Sequence, residues 1–111
     1  MKIKNYPNFV VLEDEKNDII DFAAVIEKQI PENYKGQNVV LNLLNHDAID
    51  LPQLLLFLKA SNIHRKTKQS FVIVNNAIEI DEIPFEMIVV PTLQEAGDIV
   101  EMEEIERDLG F

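Results

Sequence analysis

Few side chains in this sequence are suited to acid–base, nucleophilic or metal chemistry. The 111-residue chain has two histidines, His46 and His64, and no cysteine. Without cysteine there is no disulfide, no thiolate metal site and no thiol nucleophile. The histidines fall on different predicted elements, and neither has the partner one helical turn away that a shared zinc ion would need. Ser61 and Ser70 lie outside any Gly-x-Ser-x-Gly setting, so the strained turn that exposes a hydrolase serine is not expected. Glu13-Asp14-Glu15 and Asp81-Glu82 are adjacent carboxylates without the alternating oxygens of a calcium loop, and they read as solvated turns. With three glycines in all, no glycine-rich loop can cradle a phosphate. No nucleophile–base pair assembles from these residues, so the chain reads as a non-enzyme without catalytic residues, metal or cofactor.

The remaining polar features point to binding. His46-Asp47 follows an apolar run, and parallel sheets collect ligands beyond their strand ends. An exposed turn is the plainer alternative. Ten basic and twenty acidic residues give a net charge of −10, which repels nucleic-acid phosphates and anionic lipid headgroups. The one basic cluster, His64 to Lys68, suits a helix C-terminus and a turn, with contact to an anion or acidic partner as the alternative. The acidic run Glu101, Glu103, Glu104, Glu106 and Asp108 serves solubility or offers a docking surface for a basic partner.

The elements that position these groups follow from periodicity. Hydrophobic residues are 47% of the chain, enough for one packed domain over 1–111. Ile3 and Tyr6 to Leu12 supply one or two early strands. Asn38 to Leu44, Ser70 to Val74 and Met87 to Val90 are apolar runs of the kind found in strands covered on both faces. Between them, Ile19, Ala23, Ile26 and Ile30 repeat at helical spacing behind a cap at Asn17-Asp18, and Pro31 is expected to end that helix. Asp50 caps a second helix, with Pro52 in its first turn and Leu54, Leu55, Leu58 and Ile63 as its buried stripe. Thr92 and Glu95 form a capping box for a third, whose inward residues are Leu93, Ala96, Ile99 and Val100. The expected helices are Asp18–Ile30, Leu51–Ile63 and Thr92–Asp108. The expected architecture is α/β, with a mixed sheet of four to five strands and an antiparallel addition at one edge. Segment 75–86, broken by Pro84, is too short for a crossover helix and is expected to hold no helix beyond two turns.

Asn38-Val-Val-Leu-Asn-Leu-Leu, Ala48-Ile49-Asp50, the leucine-rich helix, Ser70-Phe-Val-Ile-Val and Pro91-Thr-Leu-Gln-Glu-Ala, in that order, resemble the STAS domains. These are the anti-sigma factor antagonists and their relatives, and the likeness is to single-domain bacterial members. The resemblance implies a STAS-like fold and a regulatory role through protein binding. Family members carry Asp-Ser-Ser-Gly or Asp-Ser-Thr-Gly where this chain has Asp50-Leu51-Pro52-Gln53. The second hydroxyl residue of that motif is the one phosphorylated by a partner kinase. Pro52 stands in its place and has no hydroxyl, so the switch cannot operate there. Asp50 keeps a capping role. The family's helix at 75–86 is shortened or missing.

These readings converge on a divergent, non-enzymatic protein-binding module. Its expected surface comprises His46, Asp47, Asp50, Leu51, Pro52 and Gln53, flanked by Ile83 and Phe85. The implied partner is another protein, such as an anti-sigma factor-like regulator, and a homodimer stays open. Nucleic acid and membrane insertion are not expected. The longest apolar run, Leu54 to Leu58, is too short to span a bilayer, and the polar start Met1–Pro7 does not resemble a secretory signal, so the cytoplasm is the expected compartment. A small-ligand or lipid-transport-associated STAS-like module is the alternative.

Overall fold

Short apolar runs bounded by polar or turn-forming residues build the inner strands of a five-stranded sheet, and a polar, exposed strand closes one edge. A computed structural model describes residues 1–110. The strands are β1 (Lys2–Asn5), β2 (Val10–Glu13), β3 (Val39–Asn42), β4 (Phe71–Val74) and β5 (Ile88–Val90), arranged in chain order across the sheet. β1 runs antiparallel to β2, with Ile3 opposite Leu12, and all other neighbours are parallel. The fold is therefore the expected mixed α/β sheet with an antiparallel strand at one edge. It is compatible with a STAS-like α/β fold.

Register assigns each strand residue to a face. Leu12, Leu41, Ile73 and Val89 form one row across β2 to β5, and Val11, Val40, Val72 and Ile88 form the adjacent row. The first row packs beneath α1 (Ile19–Asn33), α2 (Leu51–Leu55) and α3 (Leu58–Lys66), and the second packs against α4 (Leu93–Asp108).

Asp18 caps α1 by accepting the Asp21 amide, and Ile19, Ala23, Ile26 and Ile30 are all buried, with Phe22 beside them. Pro31 does not end this helix, which continues to Asn33. Proline removes a single ladder bond near the last turn. The fully buried Ile30 anchors that turn, and its carbonyl accepts the Tyr34 amide at 3.2 Å.

The expected helix Leu51–Ile63 is two pieces. At the junction, Leu56 and Phe57 donate to Gln53 and Leu54, the tighter spacing of a 3-10 turn. The tighter turn changes the phase of the stripe. Leu54, Phe57, Ala60, Ser61 and His64 are buried, while Leu55 and Ile63 are largely exposed and Leu58 is half-buried. Thr92 accepts the Glu95 amide as expected, but Glu95 returns the contact to the Thr92 hydroxyl rather than to its backbone.

Segment 75–86 holds a single 3-10 turn, Ile80–Glu82. It crosses the sheet from the carboxyl end of β4 to the amino end of β5, as a crossover helix would. Ile78 and Ile83 pack against the core, whereas Ile80 and Phe85 project into solvent. Among the described residues no helix is long and apolar enough to cross a membrane.

Candidate binding surface

The loop that leads into α2 is set by three polar residues at the carboxyl edge of the sheet. Asn75, buried at the end of β4, donates to the carbonyls of Leu43 and His46, both at 2.9 Å. Its Oδ1 accepts the amides of Ala77 and Ile78. One side chain therefore ties the β3–α2 loop to the start of segment 76–86. Asp14, buried after β2, accepts the amides of Lys16 and Asp18, and its carbonyl accepts from Asn45. Asn42 donates to Glu13 and accepts the Leu44 amide.

The predicted surface residues occupy this edge in part. His46 is not an exposed turn residue: only 10% of its side chain is accessible, and its Nε2 lies 3.3 Å from Asp14 Oδ2. That approach is close enough for an ion pair when His46 is protonated, but it is not along a hydrogen-bonding direction, and Nε2 has no hydrogen-bond partner. Asp47 is exposed. Asp50 and Gln53 form a reciprocal capping box, Gln53 N to Asp50 Oδ1 at 3.0 Å and Asp50 N to Gln53 Oε1 at 3.1 Å. Pro52 sits in the first turn, where no backbone donor is missed, and its ring is exposed. Leu51 is half-buried. His46 to Gln53 thus form one continuous feature.

Ile83 and Phe85 do not join it. Phe85 precedes β5, so it lies toward the amino edge of the sheet, where a broad cleft places it with Asn62 and Lys66 of α3. Ile83 faces the core. The exposed apolar side chains in this part of the chain are Leu55, Leu56 and Ile63 on α2, α3 and the step between them, and Ile80 and Phe85 on segment 76–86. Asn75 was not among the residues expected to matter, and Asp14, expected with Glu13 and Glu15 in a solvated turn, is instead buried with its carboxylate spent on the Lys16 and Asp18 amides. The signal for Asn75 in the sequence was a polar side chain placed directly after an apolar quartet.

The titratable groups displaced from their ordinary values lie nearer the opposite edge. Burial pushes His64 down, against the pull of its 2.6 Å contact with the Gln37 carbonyl, and burial pushes Tyr34 up. Burial would raise Glu103, but hydrogen bonds from Arg65 and Ser70 and the charges of Arg65 and Arg107 outweigh it and hold the carboxyl low. Arg65 meets Glu103 through both guanidinium nitrogens, at 2.8 and 3.4 Å. Arg107 reaches Asn38 and Ser70. The basic cluster is therefore not uniformly a solvated helix end: His64 is buried and Arg65 is spent on Glu103 of α4, while Lys66 and Lys68 are exposed. Among the described residues no cluster of three histidines or carboxylates could hold a metal ion.

No family model matches the chain, and no curated protein matches it in sequence.

Proposed function

We propose that this chain is a cytoplasmic, non-enzymatic regulatory module that binds another protein, in the manner of an anti-sigma factor antagonist, and is not switched by phosphorylation at the usual site. The observation that carries the reading is the group of exposed apolar side chains on α2, α3 and segment 76–86. Phe85 is 103% accessible and Ile80 is 83% accessible. Large apolar groups held outward in this way are characteristic of interfaces, and aromatic anchors dominate their energetics. The lost switch is supported by Pro52, which occupies the exposed first turn of α2 and offers no phosphate acceptor.

The test is capture of partners from the native host by tagged wild-type protein, a Leu56→Asp/Phe85→Asp variant, and Ile20→Asp as a control on α1. The partner should be retained by wild type and control and lost from the double variant. Equal retention by all three would refute the surface. Stoichiometric phosphate on Ser61, Thr67 or Ser70 that also abolishes capture would refute the unswitched role.

A further inference from the structure

Helix α4 carries apolar residues on two opposite faces, and only one of them packs against the protein. Ala96, Val100, Glu103 and Arg107 recur at intervals of four, three and four, and this face meets the sheet and its amino-edge network. Asp98, Met102, Ile105 and Leu109 recur at the same intervals half a turn away. Met102, Ile105 and Leu109 are 49%, 54% and 66% accessible. Solvent alone gives no reason for three large apolar side chains to stack on the outermost line of a helix.

The charges beside this stripe have one sign. At about 100° per residue, Glu101 and Asp108 fall along one border, and Glu95 and Glu106 along the other. All four are exposed. Arg107, the one cation of the helix, points inward to Asn38 and Ser70. Glu103 is likewise consumed inward by Arg65, and Glu104 accepts from Asn8. Lys68 borders the cleft beside Glu106 and Gly110, at one end only.

We infer that the outer face of α4 docks a cationic amphipathic helix of another protein, its leucine-type side chains on Met102, Ile105 and Leu109 and its Lys or Arg residues against the flanking carboxylates. A second copy of the chain does not fit. Antiparallel pairing of two such faces would set acid rows against acid rows on chains that each carry −10. From Met102 to Leu109 the stripe is about 10 Å long, which suits two to three turns of a partner helix. This surface is separate from the apolar group on α2, α3 and segment 76–86, and its failure would leave the proposed function standing.

The probe is a synthetic helical peptide with leucines at i, i+3, i+4 and i+7 and lysines flanking them, together with a counterpart in which glutamate replaces lysine. Each is titrated into isotope-labelled full chain, with backbone resonances followed by NMR. The lysine peptide should shift resonances concentrated between 98 and 109, more weakly at high salt, and the glutamate peptide should not bind. A Met102→Ser/Ile105→Ser variant, shown to be folded by circular dichroism, should lose about tenfold or more in affinity, while Phe85→Ser should change it less than about twofold. Shifts spread over all acidic surfaces, shifts centred on α2 and α3, or equal binding of the glutamate peptide would overturn the inference. So would sedimentation of the free chain as a dimer that Ile105→Asp renders monomeric.

Discussion

Replacing Arg65 with alanine isolates the contact that joins α3 to α4. The two guanidinium nitrogens bracket the Glu103 carboxylate at 2.8 and 3.4 Å, and the side chains are 31% and 15% accessible. Fully exposed ion pairs contribute about 0.2–1 kcal/mol, whereas hydrogen bonds to charged groups contribute about 1.5–3 kcal/mol. A partly buried, two-pronged pair falls in between, and loss of the arginine also strands a desolvated carboxylate. Arg65→Ala should therefore cost about 2 kcal/mol at pH 7. With an unfolding entropy of about 2.1 cal/mol/K per residue over 111 residues, that corresponds to a fall of about 9 °C in Tm. The effect has a pH signature. Glu103 is held below its ordinary value in the folded chain, so the unfolded chain binds the extra proton. This stabilisation is complete above the ordinary carboxylate range and disappears as pH falls through the lowered folded value. Urea unfolding of wild type, Arg65→Ala, Glu103→Gln and the double variant, at pH 7 and again at pH 3, measures the coupling directly. A cost under about 0.5 kcal/mol at pH 7 would place this pair with ordinary surface pairs. A coupling of the same size at both pH values would refute the assignment to an ionised Glu103.

Asp50→Ala removes the acceptor for the Gln53 amide and should cost about 1 kcal/mol in urea unfolding, with faster hydrogen exchange confined to α2. Asn75→Ala leaves the His46 carbonyl and the amides of Ala77 and Ile78 without their partner and the Leu43 carbonyl with only the His46 amide; about 2–4 kcal/mol should be lost, and amide exchange should rise in both the 44–50 loop and the start of segment 76–86. His64→Leu strands the Gln37 carbonyl at a cost of about 1–3 kcal/mol. Because burial holds His64 low in the folded state, wild-type stability should be complete above about pH 6.5 and decline as pH falls through the lowered folded value, and the variant should lack that decline.

The inner strands β2 to β4 were legible because each carries a short apolar run whose rows must be covered on both faces. Val39, Val40 and Leu41 are all buried, as are Phe71 to Val74. Helix starts were equally legible, since Asp18, Asp50 and Thr92 each accept the amide three residues on. Two features were not. Pro31 reads as a stop, yet one lost backbone bond is small against the anchoring of Ile30 and Tyr34 in the core. The 3-10 step at Leu56–Phe57 was invisible because a run of leucines offers several equivalent stripes, and only packing against α1 and the sheet selects the one led by Leu54, Phe57 and Ala60.

The polar groups show where periodicity alone misleads. An acidic run on a terminal helix reads as one solvated surface, but position on the wheel divides it. Glu103 and Arg107 share the inward face with Ala96 and Val100, and a charge placed in such a stripe implies a counter-charge or polar partner across the interface. Arg65, Asn38 and Ser70 are those partners. Once these inward groups are assigned, the charges that remain outward are all acidic, and the apolar residues that remain outward are those the core does not use. Composition had merged two faces in one sequence run. The inner face packs on the sheet and joins its amino-edge network, and the outer face stays exposed.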